Sequence, residues 1–156
     1  MSKRSMIFAF VVLLLCSLPG AALAEALEPS PALSPTDVVR AQLAALRAEN
    51  RDNGARRAFR FASPANRQTI GSASDFAAVL EQGYADMFSQ VRARVKLQQR
   101  DGDQARVVAE LEQIDGRQSA YVFFLSRQPS GNCEDCWMTD GVYPLESTHD
   151  APMYSI

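Results

Sequence analysis

The 156 residues carry 16 basic and 18 acidic side chains, three cysteines and one histidine, for a formal charge of −2. That mild acidity argues against nucleic acid as a partner, which needs a basic footprint. One histidine and few cysteines leave little material for a metal centre or a histidine-based hydrolase.

Met1–Ser5 carry Lys3 and Arg4, Met6–Leu18 is a 13-residue run without a charge, and Pro19-Gly20 breaks it. Ala22-Leu23-Ala24 then places small residues at −3 and −1, the parts of a secretory signal peptide cleaved before Glu25. A membrane-spanning helix needs about 20 apolar residues, so no stable anchor is expected after cleavage. Cys16 follows Leu15 rather than a small residue and does not make a lipoprotein signal. The expected location is the periplasm or the exterior. The expected organisation is signal peptide 1–24, flexible leader 25–34, one α+β domain 35–146 and a C-terminal tail 147–156 that holds His149.

Removing Lys3 and Arg4 leaves 14 basic against 18 acidic side chains, a mature charge of −4 over 132 residues. Such a length supports one domain with a real core. Asp37–Arg67 holds seven arginines against three acids, a net +4, so the remainder carries −8. The two parts either attract each other within one domain or present a basic face to an anionic partner.

Ser34-Pro35 reads as an N-cap followed by proline at the first helical position, with Asp37 in the first turn. Val39, Leu43 and Leu46 recur on one face of that helix, which should stop near Asn53-Gly54. Ala55–Phe61 reads as a short second helix, Ser63-Pro64 starts another turn, and Ser74-Asp75 opens a third helix. Phe76, Val79 and Leu80 form its expected buried stripe, and Gly83 ends or bends it.

The hydrophobic period changes at Val91. Val91, Ala93, Val95 and Leu97 alternate with Arg92, Arg94, Lys96 and Gln98, the pattern of a half-buried strand. Asp101-Gly102-Asp103 turns the chain into a second strand, Ala105–Ile114. Placing Gly102 at the turn's centre sets Arg92 opposite Glu112 and Arg94 opposite Glu110, with Val95 opposite Ala109 and Leu97 opposite Val107. A slip of one residue would destroy both the charged and the apolar pairs. Asp115-Gly116 reads as a two-residue hairpin loop before Gln118–Leu125, and Cys136–Leu145 is the fourth strand. That loop sets Leu111 opposite Ala120, Ala109 opposite Val122 and Val107 opposite Phe124. Val108, Tyr121, Phe123 and Leu125 are then expected on the face away from the helices, as an interface for a homodimer or an envelope protein, or beneath the tail.

Helices followed by an antiparallel meander describe an α+β fold, with N-terminal helices packed on one face of a curved four-stranded sheet. Gln42 with Leu46, Ala58-Phe59-Arg60-Phe61-Ala62-Ser63-Pro64, Gly71 with Phe76, Gly83-Tyr84, Arg127-Gln128, Gly131 and Trp137…Gly141 carry a resemblance. The chain resembles domain of unknown function 4864, a bacterial family, from about Pro35 to Leu145. That resemblance implies a cystatin-like cone, in the superfamily related to nuclear transport factor 2 and ketosteroid isomerase. Relatives often carry Gly-Cys near the end of the last strand. Here Val142 follows Gly141, so no cysteine role transfers.

Cys133-Glu134-Asp135-Cys136 is the compact chemical motif. It lies at a hairpin rather than a helix N-terminus, and its acidic centre opposes a thiolate, so a structural disulfide is expected ahead of free thiols or a redox pair. Ser63 and Ser74 read as helix caps rather than nucleophiles. Phe59, Phe61, Phe76, Tyr84, Phe88 and Phe124 are the side chains expected either to line a pocket or to fill it. Tyr84 and Asp86 are the nearest to an isomerase-type pair, but side chains two apart on a helix diverge. No catalytic residue, metal ligand or cofactor is assigned. The functional expectation is an exported, non-catalytic module that binds a small apolar ligand or a protein. A metal-free isomerase or dehydratase is the alternative.

Overall fold

A computed structural model describes residues 27–145. The signal peptide, the first leader residues, His149 and the C-terminal tail lie outside the described residues.

Ser34 caps the first helix, α1 (Pro35–Leu46), in a reciprocal capping box with Asp37. These hydrogen bonds from Ser34 hold the Asp37 carboxyl below its ordinary range. Helix α1 ends at Leu46, well before the expected stop at Asn53-Gly54, because Asn50 caps a new helix, α2 (Arg51–Phe59). Gly54 therefore lies inside α2, where it lets the two helices touch: an added Cβ would stand 2.6 Å from the Ala45 carbonyl oxygen. Ser63 caps α3 (Pro64–Ile70), and Ser72 rather than Ser74 caps α4 (Ala73–Gly83) through a second box with Asp75. A single turn, α5 (Asp86–Ser89), leads into the sheet.

Four antiparallel strands follow in sequence order: β1 (Gln90–Asp101), β2 (Gln104–Gln113), β3 (Gln118–Arg127) and β4 (Trp137–Leu145). The helices precede an open, curved sheet, an α+β fold. Between β1 and β2 the charges set the register: Arg92 faces Glu112 and Arg94 faces Glu110, while Val95 faces Ala109 and Leu97 faces Val107. A shift between Leu97 and Gln99 reconciles this register with the tight turn after Asp101.

The β2–β3 register differs from expectation by one residue. Leu111 pairs with Ser119, Ala109 with Tyr121 and Val107 with Phe123. The cause is local. The Gln113 amide donates to the Arg117 carbonyl and the Gly116 amide donates to the Gln113 carbonyl, making a three-residue loop with Gly116 at φ 83°. One extra loop residue turns every β3 side chain over. Tyr121, Phe123 and Leu125 consequently face the helices, at 5%, 2% and 2% exposure, and join Val107, Ala109 and Leu111 in the core. The expected interface of Val108, Tyr121, Phe123 and Leu125 does not exist as one patch. Val108 stands on the open face opposite Val122, beside Phe124, whose ring meets Tyr143 edge-on at 5.7 Å.

Two buried glutamines tie helices to sheet. The Gln90 side-chain amide donates to the Leu43 carbonyl at 2.9 Å, and the Gln113 side-chain amide donates to the Asp86 carbonyl at 3.0 Å. Leu33 of the leader packs against the core, and Glu28 pairs with Arg60. Val79, expected in the buried stripe of α4, is 46% exposed, whereas Leu80 is buried.

Gly54→Ala should lower stability by about 1–3 kcal/mol, the usual effect of overpacking, despite alanine's better helix propensity. Gly83→Ala, with nothing within 4 Å of its added methyl, should match or exceed wild type. Thermal melts of the two variants check the contrast. Equal stabilisation by both would contradict close α1–α2 contact.

Candidate functional site

The geometry of the site starts at Thr139, which is 1% exposed near the start of β4. Its amide donates to the Phe61 carbonyl at 2.8 Å, and its carbonyl accepts from the Ser63 amide at 2.9 Å. The Asn66 side-chain amide donates to the same carbonyl at 3.1 Å. Residues around Ala62 thereby add one parallel bridge to the outer edge of β4. The Thr139 hydroxyl donates to Gln42 Oε1 at 2.7 Å, and Gln42 Nε2 donates to the Ala58 carbonyl at 3.2 Å. One β4 residue thus holds α1, the end of α2 and the start of α3.

The bridge stops at once, for two reasons. Pro64 follows Ser63, has no amide hydrogen to donate and opens α3. On the other side, the β3–β4 register shifts between Phe124 and Leu125, which leaves Asp140 as the extra residue of a bulge. Beyond that point Gly141–Tyr143, paired with β3 on its inner side, has no strand on its outer edge among the described residues, and a cleft of about 370 Å³ opens between this edge and the helices. Its floor includes Gln42, Leu43, Leu46, Leu80, Met87 and Phe123, all buried. Thr69, Val79, Asp140 and Tyr143 are exposed members of its lining.

Tyr84 closes one side. Its hydroxyl donates to the Val142 carbonyl at 3.0 Å, which satisfies an edge acceptor and fixes the ring beside Tyr121 at 5.7 Å. Burial, with a smaller contribution from the Asp86 charge, raises the Tyr121 phenol above its ordinary range. Asp86 is outside the cleft lining and lies 3.7 Å from Arg117. Tyr84 and Asp86 therefore serve different neighbours and do not form an acid–base pair.

Of the six aromatic residues singled out in the sequence, Phe76 and Tyr84 line this cleft. Phe59 is half-buried and packs on Phe76 at 5.2 Å beneath Arg67; Phe61 is core, at 1% exposure. Phe88 lies under the Arg51 guanidinium. Phe124 is on the open face of the sheet, a consequence of the register, and has no part in the cleft. Phe123, expected at an interface, belongs to the cleft floor.

Sequence reasoning missed Gln42 and Thr139 as site residues. A signal for Gln42 was present: it sits three residues after Val39 and four before Leu46, an inward position where a lone polar side chain needs buried partners. Thr139 gave no comparable sign, since threonine suits any strand.

Cys133 and Cys136 have their sulfurs at disulfide-bonding distance, with Cα atoms 5.5 Å apart, in the loop between β3 and β4. The Gln128 and Asp135 amides donate to the Cys136 and Gln128 carbonyls, so this loop extends the hairpin outside the cleft lining. Among the described residues, no three His, Cys, Asp or Glu side chains converge as metal ligands. None of the described helices is long and apolar enough to cross a membrane.

Residues 32–151 match the family described as Domain of unknown function (DUF4864). No curated protein and no solved structure is significantly similar to the chain.

Proposed function

The chain belongs to the DUF4864 family, and for this member we propose a non-catalytic binding module that takes a small apolar ligand in the cleft beside β4. The observation that carries the proposal is the composition of that cleft: an aliphatic and aromatic floor with a few polar groups, in the size range of small-molecule sites. The isomerase-type alternative has no such support, because the Tyr84 hydroxyl is committed to Val142 and Asp86 stands elsewhere. Helices preceding a curved antiparallel meander support kinship with the cone-shaped superfamily related to nuclear transport factor 2 and ketosteroid isomerase.

The neutral fluorophore N-phenylnaphthylamine should bind the mature protein and brighten as it leaves water. Val79→Trp, at an exposed position on the cleft lining, should fill the site without disturbing the core and weaken binding at least tenfold. A fluorescence titration in which the probe fails to bind, or binds both proteins equally, would overturn the reading.

The same proposal places the protein outside the cytoplasm, on the strength of the charge-free run and the Ala22-Leu23-Ala24 junction. Sequencing the N-terminus of protein recovered from the cell envelope or medium should return Glu25 first. Recovery with Met1 intact in a membrane fraction would contradict it.

A further inference from the structure

We propose that the cleft selects neutral molecules with an apolar body and an oxygen acceptor (a ketone, ester or alcohol) at the buried end, and discriminates against carboxylates. The inference rests on the binding role proposed above and adds the chemistry of the ligand.

Gln42 lines the cleft and is 5% exposed. A carbonyl oxygen can only accept, so the contact with the Ala58 carbonyl fixes which end of the Gln42 amide is nitrogen. Its oxygen receives the Thr139 hydroxyl, which commits that proton. The amide nitrogen carries two hydrogens, and only one has a partner among the described residues. A buried donor left without a partner is costly, and a ligand oxygen placed against Gln42 would satisfy it. A pure hydrocarbon would fill the same volume and leave the donor unmet.

The charge on the lining sets the second condition. Among the described residues no lysine or arginine lines the cleft, and the carboxylate of Asp140, a rim residue, accepts from the Ser126 hydroxyl at 2.9 Å on the β3 face that carries Phe124. A carboxylate brought against Gln42 would lose its hydration with no lining cation to replace it. A ketone or ester accepts the same hydrogen bond without that cost. The Asn66 amide nitrogen is likewise fixed by the Thr139 carbonyl, which leaves its side-chain oxygen an acceptor.

Methyl hexyl ketone and octanoate carry apolar tails of similar length and differ at the head. In NMR titrations of the mature protein at neutral pH, the methyl signals of Leu80 and Met87 report occupancy of the floor. The Gln42 side-chain amide signals report the hydrogen bond. The ketone should move both sets together, and octanoate should bind at least tenfold more weakly. Ketone binding that shifts the methyls but leaves the Gln42 amide unmoved would overturn the inference while leaving the binding role intact. So would octanoate binding as tightly as the ketone. If neither compound moves the methyls, the binding role fails and the inference falls with it.

Discussion

Thr139 is the point on which the arrangement of helices over sheet depends. Its amide, carbonyl and hydroxyl are all hydrogen-bonded, to Phe61, Ser63, Asn66 and Gln42. Each bond contributes about 0.5–1.5 kcal/mol net, but leaving any of these buried groups unmatched costs more. The set therefore acts less as glue than as a positional constraint. Alternative placements of α1 or α3 against β4 would strand several polar groups in the core at once.

The cleft follows from how briefly that constraint extends. A strand continuing past Ala62 would have covered the edge of β4 and closed the space above Phe123. Instead Pro64 ends the pairing and starts a helix, while the Asp140 bulge turns β4 away. Tyr84, the C-cap of α4, donates to the Val142 carbonyl, which leaves a rim with its edge acceptor satisfied and an apolar interior. The fold and the cleft are thus consequences of the same few residues.

Much of this architecture was legible from local chemistry. Ser34-Pro35 announced α1, and opposed charges on β1 and β2 fixed a register because only one alignment pairs Arg92 with Glu112 and Val95 with Ala109. The helix boundary at Leu46 was not legible, since Asn53-Gly54 reads as a stop when the tight approach of α2 to Ala45 is unknown. Asp115-Gly116 misled for a related reason. The dipeptide fits a two-residue loop as well as a three-residue loop with glycine in the left-handed region, and the two differ by one residue of register. That single difference moved Tyr121, Phe123 and Leu125 from an imagined outer surface into the core, and Phe124 the other way. The candidate site was less legible still, because Gln42 and Thr139 are nearly a hundred residues apart and meet only through tertiary packing.

A constraint of this kind at Thr139 should open only when the whole domain unfolds. Native-state hydrogen exchange of the Thr139 and Ser63 amides tests it directly. The account predicts protection equal to that of the Val107 and Phe123 amides in the centre of the sheet. Exchange at Thr139 and Ser63 through a local opening, with Val107 and Phe123 still protected, would contradict it.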